Sequence, residues 1–192
     1  MRKWLLLMLT ALLLVGCGEQ TWQTTDISGV MPELKFKLTD ENGRAVSADD
    51  YRGKPTLLSF GFTNCPDVCP TTLAQLAGAS KQLDEEVRKD LQVLFVSVDP
   101  ARDDPQTLRR YTDVFGPQFI GLTGDKAALN TLTRRYSTNY SYGEKDESGN
   151  YDVSHSGAVF AFNREGDLRL LIRANDPMDA VVADLRQLSE DR

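Results

Sequence analysis

An α/β fold, with a central mixed sheet flanked by helices and closed by a terminal β-hairpin and a C-terminal helix, follows from three features of the 192-residue sequence. Two near-continuous apolar runs, residues 55–62 and 91–98, have the composition of strands covered on both faces. Between and after them lie amphipathic stretches with legible helix starts. Two further apolar runs, 157–162 and 168–173, flank Asn163-Arg164-Glu165-Gly166, a stretch rich in turn formers, and read as a hairpin. Hydrophobic residues make up 41% and charged residues 26%, a globular balance, and the length suits one domain with an appendage.

Taken in order, Leu34-Lys35-Phe36-Lys37-Leu38 alternates with period two and ends at Asp40-Glu41-Asn42-Gly43, so it reads as a strand and turn. After the 55–62 strand, Pro70 opens a helix through Leu73, Leu76, Ala77 and Leu83. Beyond the 91–98 strand, Asp104-Pro105 pairs an N-cap with proline at the first helical position, leading into Leu108, Tyr111, Val114 and Phe115. A short strand near 119–122 precedes a helix marked by Leu129, Leu132 and Tyr136. Residues 140–152, polar and glycine-containing, read as an exposed loop or hairpin inserted before the final strands. Asp176-Pro177 opens a last helix through Val181, Val182, Leu185 and Leu188. This order of elements is that of a thioredoxin-like fold.

The N-terminus reads differently. Met1-Arg2-Lys3 is followed by twelve apolar or near-apolar residues, too few for the ~20 that span a bilayer and suited to an export signal. Leu14-Val15-Gly16-Cys17 resembles the bacterial lipoprotein signal, in which the cysteine is lipidated. The expected organisation is therefore a signal peptide over 1–16, a lipidated tether over 17–30 and a thioredoxin-like domain over 31–192. The domain would sit in the cell envelope, outside the cytoplasmic membrane, and the sequence does not choose between inner and outer membranes. Loss of 1–16 removes Arg2 and Lys3 and leaves 20 basic against 28 acidic residues, so the charge falls from −6 to −8. That balance argues against nucleic acid as a partner, since phosphate neutralisation needs clustered Lys and Arg.

Three cysteines exclude a disulfide-stapled scaffold. With Cys17 as the anchor, two remain in Gly61-Phe62-Thr63-Asn64-Cys65-Pro66-Asp67-Val68-Cys69-Pro70, between an apolar strand and a helix, at the carboxyl edge where open α/β sheets bind ligands. Pro70 disfavours helix at Cys69, so Cys69 reads as a helix-entry residue and Cys65 as a loop residue before it. A nearby helix N-terminus favours thiolate, the form required both for disulfide exchange and for metal ligation. Buried inert thiols and a structural zinc half-site are the competing readings, and zinc lacks a second ligand pair. Three residues separate the cysteines and Asn64 precedes them, a departure from the two-residue spacing of thioredoxin-type exchangers.

His155 is the single histidine. In the thioredoxin topology, the loop leading into the first strand of the terminal hairpin faces the cysteine loop, where thioredoxins place a cis-proline. Here a histidine stands instead. Two thiolates and an imidazole form a soft ligand set that selects copper, with Cu(I) content on sulfur and Cu(II) accepting the imidazole.

Three motifs together, residues 60–70, Val96-Ser97-Val98-Asp99-Pro100-Ala101-Arg102-Asp103, and His155-Ser156, closely resemble the Sco/SenC family of membrane-anchored, thioredoxin-like copper proteins. The resemblance implies one copper per chain, as Cu(I) or Cu(II), on Cys65, Cys69 and His155. It also implies assistance in maturing the binuclear copper site of cytochrome c oxidase. The implied partner is the oxidase copper-site subunit or another periplasmic copper protein. Residues 99–103 read as mainly structural, a strand end leading to the Asp104 cap, and Asp67 and Asp99 are candidates for charges standing behind the ligands. Where many family members use a transmembrane helix, this chain has Cys17.

Two functions compete. The first is a metallochaperone without turnover, gated by the redox state of Cys65 and Cys69: the dithiol binds copper and the disulfide does not. The second is a thiol-disulfide reductase acting on an oxidase subunit or other copper protein, with Cys65 and Cys69 as nucleophile and resolver. His155 separates them, since exchange chemistry needs no third soft ligand.

Overall fold

The computed structural model describes residues 21–191. The expected signal segment and Cys17 lie outside the described residues. An eight-stranded sheet runs β1 (Thr25–Asp26), β10 (Leu168–Ile172), β9 (Val159–Phe162), β4 (Thr56–Gly61), β5 (Gln92–Ser97), β6 (Phe119–Thr123), β2 (Lys37–Asp40) and β3 (Ala45–Ser47) across its width. Strands β4, β5 and β6 are parallel, and the remaining pairings are antiparallel. A separate two-stranded hairpin joins β7 (Tyr140–Tyr142) to β8 (Val153–His155). The helices are α1 (Val68–Ser80), α2 (Glu85–Asp90), α3 (Pro105–Thr112), α4 (Lys126–Arg135) and α5 (Met178–Glu190). Together they make the thioredoxin-like fold that the order of elements implied.

The two strands read as doubly covered are so: every residue of β4 and β5 is buried. That double cover explains why their sequences show no polar alternation. Helices α1 and α5 pack on each other, and α3 packs on β6. The cap on α3 forms as expected, with the Asp104 carboxylate accepting from Thr107 N at 2.7 Å and Pro105 opening the helix. The β9–β10 turn is held by Gly166 N donating to Asn163 O and by the Asn163 side chain accepting from Asp167 N. Gly166 takes φ +86°, where a side chain is strained.

Three expectations are corrected, and one helix is added. Residues 22–30 do not hang free as a tether: Trp22 and Ile27 pack against the core, and Gln23 N and Thr24 N donate to the buried Asp184 carboxylate at 2.8 and 2.7 Å. Thr25–Asp26 then pairs with β10, a strand too short to leave a periodic trace. Helix α1 starts at Val68, with Asp67 at its N-cap, two residues before Pro70. Proline fits there because the first-turn N–H groups have no partner within a helix. Val114 is 79% exposed, because α3 ends at Thr112 and the helical register stops with it. Helix α2 was not anticipated. It buries no residue and so carries no apolar stripe.

Candidate metal centre

Strands β4 and β5 end side by side, and the loops leaving their carboxyl ends build the site. The β4 exit carries Cys65 and enters α1 at Val68, with Cys69 in the first turn, while the β5 exit carries Asp99, Arg102 and Asp103. Gly61, the last residue of β4, is demanded by this packing. A Cβ there would stand 2.6 Å from Cys69 Sγ and 2.6 Å from the Phe95 ring. The cysteine loop is stapled by Asp103, whose fully buried carboxylate accepts from Thr63 N (2.9 Å), Thr63 Oγ1 (2.6 Å) and Ser97 Oγ (2.6 Å).

The three residues singled out by the sequence meet. Ligating atoms of Cys65, Cys69 and His155 all lie within 4.8 Å of one another. Cys69 Sγ is 3.0 Å from His155 Nε2, and Cys69 N donates to Cys65 Sγ at 3.4 Å. Both cysteines are free thiols and nearly buried. Val153 O lies 3.2 Å from His155 Nδ1. A carbonyl only accepts, so Nδ1 carries the proton and Nε2 turns its lone pair to the sulfur. That is the orientation in which histidine ligates metals, with the far nitrogen fixed by a backbone acceptor. His155 occupies the end of β8, and three residues, 156–158, carry the chain into β9 beside the α1 start. A Cβ on Gly157 would stand 2.8 Å from Val68 Cγ1, so this approach too is fitted to glycine.

Burial pushes the Cys69 thiol well above the ordinary range, against a lowering hydrogen bond from the Phe62 backbone. The expectation that the helix N-terminus holds both sulfurs as thiolates is therefore corrected for Cys69: desolvation of the anion outweighs the helix field in the metal-free protein. Cys69 is a neutral thiol donating to Nε2.

Of the two candidate charges, Asp67 is exposed at the α1 N-cap and accepts from Thr71 Oγ1 at 3.3 Å. Asp99 is fully buried, accepts from Tyr151 OH at 2.7 Å and from Arg102 Nε, and reaches the site only through those partners. Sequence reasoning missed Tyr151 and Tyr142, and placed Arg102 only within a run read as mainly structural. The guanidinium of Arg102 lies 3.9 Å from the Tyr151 ring centroid and 5.5 Å from that of Phe62, whose ring meets His155 edge-on at 5.5 Å. Nothing local in the sequence marks these pairings, which join residues far apart in the chain.

A thioredoxin-like domain with two thiols and an imidazole converging at the carboxyl ends of β4 and β5 defines a class, a fold of the disulfide-exchange type refitted with a soft metal-ligand set. A family model described as SCO1/SenC matches residues 28–190, and the chain belongs to that family. The mitochondrial SCO2 homologue of Homo sapiens is 40% identical over 132 residues, 68% of this chain and 50% of that protein. The chain thus spans about half the length of the human relative it matches. Among solved structures, the apo Sco1 protein of Thermus thermophilus superimposes with a TM-score of 0.78 at 36% identity, covering 89% of this chain and 99% of its own. ScoI of Bradyrhizobium japonicum with copper bound gives a TM-score of 0.73 at 32% identity, covering 81% and 98%.

Proposed function

We propose that this protein is a copper metallochaperone that holds one copper on Cys65, Cys69 and His155. The observation that carries the reading is the convergence of two sulfurs and one lone-pair nitrogen within 4.8 Å. Soft sulfur with imidazole is a copper-selecting set, since oxygen donors that would suit harder cations are missing from the triad. Binding displaces the Cys69 proton, so loading releases protons and strengthens as pH rises. Family kinship extends the reading to maturation of the binuclear copper site of cytochrome c oxidase. The acceptor is then the oxidase copper-site subunit or another periplasmic copper protein.

Redox gating belongs to the same proposal. Oxidising the Cys65 and Cys69 thiols to a disulfide gives two electrons and two protons to an oxidant and removes both sulfur ligands. The anchor is lipid on Cys17, at the cell envelope; among the described residues no helix is long and apolar enough to cross a membrane. The expected intact mass of exported protein begins at a lipidated Cys17, and an unmodified Met1 start would remove the anchor from the reading.

The function is tested by titrating the reduced domain and His155→Ala with copper in both oxidation states. One copper per chain is expected, with Cu(II) lost far more than Cu(I) in the variant and an altered sulfur-to-copper absorption. A Cu(II) affinity and spectrum unchanged by His155→Ala would favour the thiol-disulfide reductase, in which Cys65 and Cys69 exchange with a partner disulfide.

A further inference from the structure

His155 belongs to a hairpin with no ladder to the eight-stranded sheet. Its C-terminal side is tied by the three-residue run into β9. Its N-terminal side follows α4 through residues 136–139, and the hairpin is held to the body of the domain by the buried Val153, by Tyr140 OH donating to Asn130 Oδ1 at 2.9 Å and by a group of contacts around Asp99. Tyr142 OH donates to Val98 O at 2.6 Å, and Tyr151 OH donates to Asp99. Arg102 Nη1 donates to Tyr151 O at 3.1 Å while its Nε pairs with the same Asp99 carboxylate. Arg102 alone in this set touches both halves of the metal centre, with Tyr151 of the hairpin on one side and Phe62 of the cysteine loop on the other. Its Nη2 is buried and has no hydrogen-bond partner among the described residues, so the guanidinium is fixed by Nε, Nη1 and two aromatic rings.

We propose that Arg102, seated on Asp99, is a positioning residue that latches the histidine hairpin against the cysteine loop and thereby selects which oxidation state of copper the site retains. The inference rests on the copper reading above for its consequence, though not for the latch itself. The cysteine sulfurs are placed by β4, α1 and the Asp103 staple, whose hydrogen bonds are made without the Arg102 side chain; Arg102 meets the cysteine loop at the Phe62 ring. With the latch closed, Nε2 stands at the sulfurs and the site offers three donors. With it open, two thiols remain, enough for Cu(I) and poor for Cu(II). Arg suits the role because a planar, permanently charged fork can pair with a carboxylate edge-on while stacking on aromatic faces, which an ammonium cannot do in the same geometry.

An affinity that depends on a competent conformer scales with the population of that conformer, so a hairpin docked about a tenth of the time binds Cu(II) about tenfold more weakly. Arg102→Met alone strands the buried Asp99 charge and risks unfolding. The informative variant is therefore the double substitution Asp99→Asn with Arg102→Met, which removes the charge together with its partner. In this variant Cu(II) is expected to weaken about tenfold with a changed charge-transfer band, while Cu(I) stays within about twofold. Arg102→Lys, which keeps the charge, should restore part of the Cu(II) affinity. Hydrogen exchange on the metal-free proteins gives a readout independent of copper: amides of 140–155 should exchange faster in the double variant while those of 61–70 keep their rate. Unchanged exchange in the hairpin, or equal loss of both oxidation states, would overturn the latch. A wild-type protein that bound no copper would instead overturn the copper reading, and the exchange rates would still decide the latch.

Discussion

The cysteine half of the site and the histidine half are held by different means. Cys65 lies on the loop between β4 and α1 and Cys69 in the first turn of α1, backed by the fully buried Phe95, with the loop stapled by three hydrogen bonds to Asp103. His155 rides on a two-stranded hairpin joined to the rest by the buried Val153 and by Tyr140, Tyr142, Tyr151 and Arg102. The first half is part of the domain core and can move only if that core moves. The second can be loosened by touching side chains at the surface margin. On the proposed reading, a centre so divided keeps its two sulfurs in place while the third donor can come and go, as a carrier that both holds and releases its cargo requires.

The comparison breaks most decisively at the sulfurs. Cys65→Ser or Cys69→Ser removes one of the two sulfur donors, and copper in either oxidation state should bind more than about 100-fold more weakly, beyond the loss usual for residues behind a ligand. Competition against a chromophoric Cu(I) chelator measures this, and retention of wild-type affinity would put the metal elsewhere. Next in size is Gly61→Ala. Its Cβ would meet Cys69 Sγ and the Phe95 ring at 2.6 Å, and neither the α1 start nor the packed ring can step aside. A loss of about 1–3 kcal/mol is expected from overpacking, read by denaturant unfolding. A neutral result would mean the cysteine half is more pliant than its burial indicates.

Which parts could be read from sequence follows the same division. The 55–62 and 91–98 runs announce β4 and β5 because strands buried on both faces write their position into composition. Cys65, Cys69 and His155 are legible through residue type and their place in the topology. Helix α2, with no buried residue, and the two-residue β1 carry no pattern to read. The Arg102–Tyr151–Asp99 cluster stays hidden for another reason: its pairings are made in space, and Tyr151 sits in a polar stretch whose composition announces only a loop. The run 99–103 was visible as a motif, yet its role depends on which residues fold over it.

A third prediction separates the halves by pH. Burial raises the Cys69 thiol above its ordinary value of 9.0, so on the metal-free protein the folded state keeps a proton that the unfolded chain gives up. Fewer protons bound to the unfolded state means that stability falls as pH rises through and beyond that value. The contribution is fully present below about pH 9 and declines by at most about 1.4 kcal/mol per pH unit above it. Urea midpoints of wild type and Cys69→Ala between pH 7 and about 10 should converge on this account. Parallel curves would show that Cys69 is better solvated than its burial indicates.

The smallest expected effect is Tyr142→Phe, and it grades the attachments of the histidine half. Tyr142 OH donates to Val98 O at 2.6 Å, just beyond the carboxyl end of β5, so its loss leaves one buried carbonyl without that donor. A neutral hydrogen bond of this kind contributes about 0.5–1.5 kcal/mol. The ring itself remains, with its edge contacts to Tyr140 and Tyr151 and the Lys126 ammonium 5.4 Å from its centroid, so the hairpin keeps most of its packing. Cu(II) affinity should therefore drop by less than about tenfold, the equivalent of ~1.4 kcal/mol, and Cu(I) should not respond. Parallel titrations of Tyr142→Phe and of the Asp99→Asn, Arg102→Met double variant give the ranking directly. If the tyrosine variant weakened Cu(II) more, the hairpin would hang chiefly on Val98, and Arg102 would be one contact among several.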